Sequence, residues 1–253
     1  MKKVFANWTY TPKDYFKEEI LIKEKAYSIT IKDGKVELIV KSIEKDDVIE
    51  IHSRYNGLVE SFFMVELFNK RKTYELRVSS LKSQNEDGTF SLYLRPKSAK
   101  FIFTPSLKVS FKKFDKDGNI VVDSEETKKK KQVEFLKSLQ SAINKDDKIL
   151  DLFTSYKNSI SDQDDELVHL YEIRDGLHSY FGSHANAVNA LNLDATLWRD
   201  FGRLCNDPNL LQGRHRGKKL SKLRNATEEE LKSARELAIK MIKSFITHLN
   251  NKE

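Results

Sequence analysis

Apolar and polar residues alternate through 26–32 and again through 35–41, with Asp33-Gly34 between the two runs. An Asp-Gly pair between alternating segments is a strong β-hairpin signal, because the tight turn it favours matches the twist of the flanking strands. Between 51 and 69 the spacing changes. Leu58, Val59, Phe62, Phe63, Val65, Leu67 and Phe68 crowd too densely for a half-wet strand and predict a helix with a broad buried side. Alternation returns at 73–79 and 89–95, joined across Asn85-Glu86-Asp87-Gly88. It continues in the short run 101–103 and in a hairpin of 107–114 with 120–122 around Asp117-Gly118. This succession of strands around one helix predicts a mostly antiparallel sheet with the helix packed on a face. Trp8, Tyr10, Tyr15 and Phe16, ahead of these runs, read as a core cluster, with a partner-binding patch as the alternative.

Near residue 125 the alternation stops and helical spacing begins. Val133, Leu136, Leu139 and Ile143, then Ile149, Leu152, Phe153 and Tyr156, recur at intervals of three and four. The lysine run 128–131 fits a linker or the wet face of a helix. A further helix carries Leu167, Leu170, Tyr171, Leu177 and Phe181, with Asp162 or Asp164 expected as its cap and Gly182 as its end. Thr227-Glu228-Glu229-Glu230 is a capping box. Behind it, Leu231, Ala234, Ala238, Met241, Ile242, Phe245 and Leu249 hold one apolar face for about five turns. The fold class expected is α+β: a sheet-plus-helix domain over 1–124 and an all-helical domain over 125–253.

Composition narrows the class. Hydrophobic residues make up 39% and charged residues 33%, with nine Gly and four Pro, an ordinary globular balance. No apolar run approaches the ~20 residues that cross a bilayer, so no membrane association is expected. Met1-Lys2-Lys3-Val4-Phe5-Ala6-Asn7-Trp8 lacks the apolar stretch of a secretory signal. The lone Cys205 cannot form an internal disulfide, which suits a reducing cytoplasm.

The charge is concentrated. "GRHRGKKLSKLR", residues 213–224, holds six Lys or Arg, one His and no acid. From 199 to 224, Arg199, Arg203, Arg214, Arg216, Lys218, Lys219, Lys222 and Arg224 face only Asp200 and Asp207, a local excess of +6 in a chain of net +7. Such a patch is the electrostatic footprint of a polyanion-binding surface. Arg presents a planar fork to phosphate and Lys a mobile point charge. Gly213 and Gly217 bracket Arg214-His215-Arg216 and suggest close approach of backbone to a ligand, with Leu220 and Leu223 pinning the loop's end.

Just upstream, "SHANAVNALNLDATLWRDFGRL" (183–204) resembles the helix-turn-helix pattern of bacterial DNA-binding proteins. Ser183 caps a short first helix bearing Val188 and Leu191. Asn192, Leu193, Trp198 and Phe201 fall four, five, ten and thirteen positions after Val188, as turn, apolar follower and two apolar anchors. Asn stands where Gly is commoner, and it tolerates the left-handed conformation. The contact residues implied on the second helix are Ala195, Thr196, Leu197, Arg199, Asp200 and Arg203. "YEIRDGL", "NDPNLLQGRHRGK" and "LRNATEEELKSARELA" together resemble the C-terminal block of a group of uncharacterised bacterial proteins over about 165–249. That likeness implies a prokaryotic, cytoplasmic protein and carries no mechanism.

The function expected is nucleic-acid binding, to DNA or RNA, without catalysis and without a cofactor. It would use Arg199, Arg203, Arg214, His215, Arg216, Lys218, Lys219, Lys222 and Arg224. One alternative is a ribonuclease with His215 as general acid or base and Arg214 stabilising the transition state. The helical HEPN ribonucleases are similar in outline, but their signature sets four to six residues between Arg and His, and Arg174-Asp175-Gly176-Leu177-His178 has three. The other alternative is an adaptor that docks an acidic protein. Metal chemistry finds no support. Asp115-Lys116-Asp117-Gly118-Asn119 with Glu126 has Ile120 where a calcium loop needs Gly, and His169, Glu172, Asp175 and His178 lack zinc spacing.

Overall fold

The structure, a computed structural model, describes residues 2–43, 48–93, 125–218 and 222–252. The expected strands at 101–103, 107–114 and 120–122, and the turn Asp115–Asn119, lie outside these residues. The described part forms two compact units, Met1–Glu66 with Tyr74–Asn144, and Leu67–Thr73 with Lys145–Glu253. The protein is α+β, as expected: an N-terminal antiparallel sheet and a mostly helical C-terminal region.

In the first unit, β1 (Lys2–Thr11), β2 (Ile20–Lys23), β3 (Tyr27–Lys32), β4 (Lys35–Ile43), β5 (Glu75–Gln84) and β6 (Phe90–Tyr93) form one sheet in the order β2-β3-β4-β1-β5-β6. The β3–β4 hairpin turns at Asp33-Gly34, where φ is 49° and 80° and Lys32 pairs with Lys35. The β5–β6 hairpin closes over Asn85, whose amide meets the Thr89 carbonyl at 2.8 Å. Two strands go beyond the expected set. β1 lies between β4 and β5, and β2 forms an edge. The signal for β1 is present in Val4, Ala6, Trp8 and Tyr10, which alternate and are all buried.

The register places Trp8 opposite Val36, Ala6 opposite Leu38 and Leu81, and Leu38 opposite Ile29. Strand side chains alternate between faces, so these residues share one apolar face. α1 (Val48–Lys70) covers it: Trp8 stacks on His52 at 5.4 Å and donates its indole N–H to Asn56 at 2.8 Å. α2 (Glu125–Lys145) packs Leu136, Leu139, Ala142 and Ile143 inward, and Gln140 donates to Ser61 Oγ at 3.1 Å.

In the second unit α3 (Lys148–Ser161), α4 (Glu166–Phe181), α5 (His184–Ala190), α6 (Ala195–Cys205) and α7 (Glu228–Asn251) gather around α4. Gly182 ends α4 at φ 77°, and Ser183 Oγ caps α5 by accepting from Asn186 N at 3.1 Å. Thr227 and Glu230 make the capping box of α7. The expected cap of α4 moves by one residue. Asp165 holds the position without a side-chain cap bond, because its carboxylate meets Arg216 instead, while Asp162 ends α3. Among the described residues no helix is long and apolar enough to cross a membrane.

Candidate nucleic-acid interface

α5 and α6 meet at a corner over 191–194. Asn192 takes φ 49°, Leu193 N donates to the Val188 carbonyl at 3.0 Å, and Asp194 starts α6 by accepting from Thr196 N and Leu197 N at 2.7 and 3.0 Å. Leu191, Leu193, Trp198 and Phe201 are buried, whereas Val188 is half-exposed and Ala187 takes the interior place beside it. At about 100° per residue, Arg199 and Arg203 form one stripe on the outer side of α6. Their side chains are 58% and 74% exposed, and both lean on Asp200, at 3.5 and 3.7 Å. Exposed pairs of this kind hold a side chain only weakly. The flank of α6 toward α7 is different: Leu197, Asp200 and Leu204 line a groove with Glu229, Glu230 and Glu236. Lys240 also lines this groove, so acidic residues predominate on that flank while Arg199 and Arg203 stand on the outer one.

The chain from 209 to 224 is a loop closed at its neck. Leu210 and Arg224 form a parallel bridge, with Leu211 N to the Arg224 carbonyl and Arg224 N to the Asn209 carbonyl both at 2.9 Å. Gln212 clamps the return strand, meeting Asn225 at 3.1 Å and Ala226 N at 3.0 Å. Gly213 serves this closure. A Cβ there would stand 2.7 Å from the Asp207 carbonyl oxygen, so only glycine lets the chain fold so tightly on itself. Gly217 has open space around it.

The loop's cations divide into two groups. Arg216 is engaged by Asp165 and by the carbonyls of Leu211 and Asp164 at 3.0 and 3.2 Å. Arg224 grips Glu230 through both terminal nitrogens at 2.8 and 2.7 Å. These two brace the loop, a role that sequence spacing could not reveal because Asp165 lies 51 positions away. Arg214 donates its backbone N–H to the Cys205 carbonyl at 2.8 Å and lays its guanidinium on the Tyr171 ring, 4.6 Å from the centroid. Arg214 and Lys222 are exposed and have no carboxylate partner among the described residues. His215 is half-buried; Lys219, Leu220 and the side chain of Lys218 lie outside the described residues.

Arg224 and the Thr227 amide hold the Glu230 carboxyl at about 2, against its ordinary 4.5. The folded value is the lower one, so the stabilisation is complete above pH 4.5 and is lost as pH falls toward 2. Amide protection at Arg224 and Thr227, measured against the intrinsic exchange rate at each pH, should therefore fall across that window. Glu230→Gln should show low protection throughout, and pH-independent protection in the unaltered chain would remove this tie from the loop's support.

One arginine that the loop pattern did not reveal is Arg174 on α4. It is buried, with its guanidinium 5.2 Å from the Tyr171 centroid and 5.1 Å from that of Trp198. Burial pushes the nearby Cys205 thiol up to about 12, which favours the protonated thiol. Comparison of the chain with protein-family models, curated proteins and solved structures found no match.

Proposed function

We propose that the helical unit binds nucleic acid through the phosphate backbone, without catalysis. The outer stripe of α6 (Arg199, Arg203) and the closed loop (Arg214, Lys222) would make the contacts. The observation that carries this reading is the division of labour in the loop. Arg216 and Arg224 are fastened to carboxylates and set its shape, while Arg214 is braced on Tyr171 with its charge uncompensated. A guanidinium already ordered against a ring loses little freedom on meeting a phosphate. The contact set is therefore smaller than the full basic run, and Arg216 and Arg224 act as supports.

Salt-titrated binding to labelled single-stranded and duplex DNA and to RNA tests the reading. Affinity should fall steeply with salt, because each phosphate contact releases counterions. The pair Arg203→Glu and Arg214→Glu should weaken binding at least about tenfold and flatten the salt slope by about two. If affinity and slope are unchanged, or an acidic peptide of equal charge binds as tightly as the nucleic acids, the proposal fails. The peptide result would favour docking of an acidic protein.

A further inference from the structure

Elsewhere in the helical unit, buried arginine is neutralised by carboxylate. Arg235 reaches both oxygens of Glu166 at 2.5 and 2.8 Å and adds Glu228 at 2.5 Å. Arg174 is the exception. Only 8% of it is exposed, and no carboxylate meets it among the described residues. Among the described residues its Nη1 donates to Tyr171 Oη at 2.9 Å, and its buried Nε–H meets no acceptor. A guanidinium cannot discharge itself by losing a proton, so burial leaves it charged and in need of an anion.

Its seat is built with care. A Cβ at Gly202 would lie 2.9 Å from Arg174 Cζ and 3.1 Å from each Nη, so the flat of the guanidinium rests against the α6 backbone where only glycine leaves room. Tyr171, one turn earlier on α4, carries the Arg214 guanidinium on its ring. His178, one turn later, stacks at 4.0 Å on His184, the first residue of α5, whose edge faces Trp198 at 6.0 Å. The His184 imidazole is held below its ordinary value by burial first, then by the charges of Arg174 and His178, against a smaller opposing pull from Asp175. Along α4, Arg174 thus stands between Tyr171, which carries Arg214, and His178, which stacks on His184.

We propose that Arg174 is the floor of an oxyanion site that takes a phosphate group. Tyr171 Oη and Arg214 would flank it on one side, and His178 and His184 on the other. The guanidinium fork suits two oxygens of a tetrahedral anion, and the imidazoles suit its second charge by taking up protons. Free phosphate and the phosphate of a mononucleotide share this chemistry. The proposal stands apart from the nucleic-acid reading, with which it shares Arg214 alone, and either can fail without the other.

The test uses the full chain at constant ionic strength, titrated with inorganic phosphate in one arm and AMP in the other, against chloride. Phosphorus NMR should show saturable binding in at least one arm, AMP binding the tighter if the source is a nucleotide. Arg174→Met should lose the binding while melting at or above the unaltered chain in phosphate-free buffer, since it removes a buried charge that has no partner. Should that variant misfold, ring-proton titration of the unaltered protein decides: bound phosphate must raise the pKa of both His178 and His184. The proposal is overturned by no saturable binding in either arm, by full binding in Arg174→Met, or by histidine titrations that ignore phosphate.

Discussion

Glu166→Ala is expected to destabilise the helical unit by about 3–5 kcal/mol, the usual cost of breaking a buried ion pair from one side. Glu166 is 2% exposed at the start of α4. Its carboxylate receives Arg235 Nε and Nη2 at 2.5 and 2.8 Å and Arg71 Nη2 at 3.0 Å. Arg235 is itself 9% exposed on α7, and its guanidinium is held above the ordinary value by its bonds to Glu166. Removing the carboxylate leaves one almost fully buried cation and one partly buried cation side by side. Arg235 keeps only Glu228, whose side chain is 71% exposed. Urea unfolding followed at Trp198 measures the effect. A cost below about 1 kcal/mol would place the cluster among solvated surface pairs. Glu166→Leu combined with Arg235→Met should cost less than Glu166→Ala alone, because it strands fewer charges.

The second large effect belongs to the sheet unit. Phe63→Ala should cost about 3–5 kcal/mol, and Phe63→Leu clearly less, because alanine leaves a cavity that the rigid sheet cannot close. Phe63 is fully buried on α1 and sits among four rings, with centroids 5.2 Å away for Tyr10, 5.5 Å for Tyr15, 4.9 Å for Phe16 and 4.8 Å for Tyr74. Its carbonyl also accepts from Tyr15 Oη at 3.2 Å. Thermal unfolding of Phe63→Ala, Phe63→Leu and the exposed control Leu21→Ala ranks the costs. Equal melting of Phe63→Ala and the control would show that the aromatic cluster does not hold the sheet to the helix.

The elements recognised most directly are those stabilised within a few residues. Asp33-Gly34 turns the hairpin by its own positive φ, and Thr227 and Glu230 cap α7 across three positions. Asn192 accepts the left-handed corner, and Gly182 stops α4. Each is a local interaction between near neighbours, so the sequence carries it without reference to the rest of the chain. The central strand β1 was harder, because its Trp8 and Tyr10 group with Tyr15 and Phe16 and read simply as core, leaving the alternation with Val4 and Ala6 unused. Their role in joining β4 to β5 depends on partners about 30 and 70 positions away, and only the folded sheet makes that pairing visible.

The candidate interface follows the same division. Composition alone located the positive charge at 199–224. It could not distinguish a supporting arginine from a presenting one, because the distinction lies in which carboxylate arrives from another helix: Asp165 for Arg216, Glu166 for Arg235, none among the described residues for Arg174. Charge is a property of residues and survives any folding. Its neutralisation falls off with distance and solvent exposure, and those are set only when α4, α6, α7 and the closed loop come together.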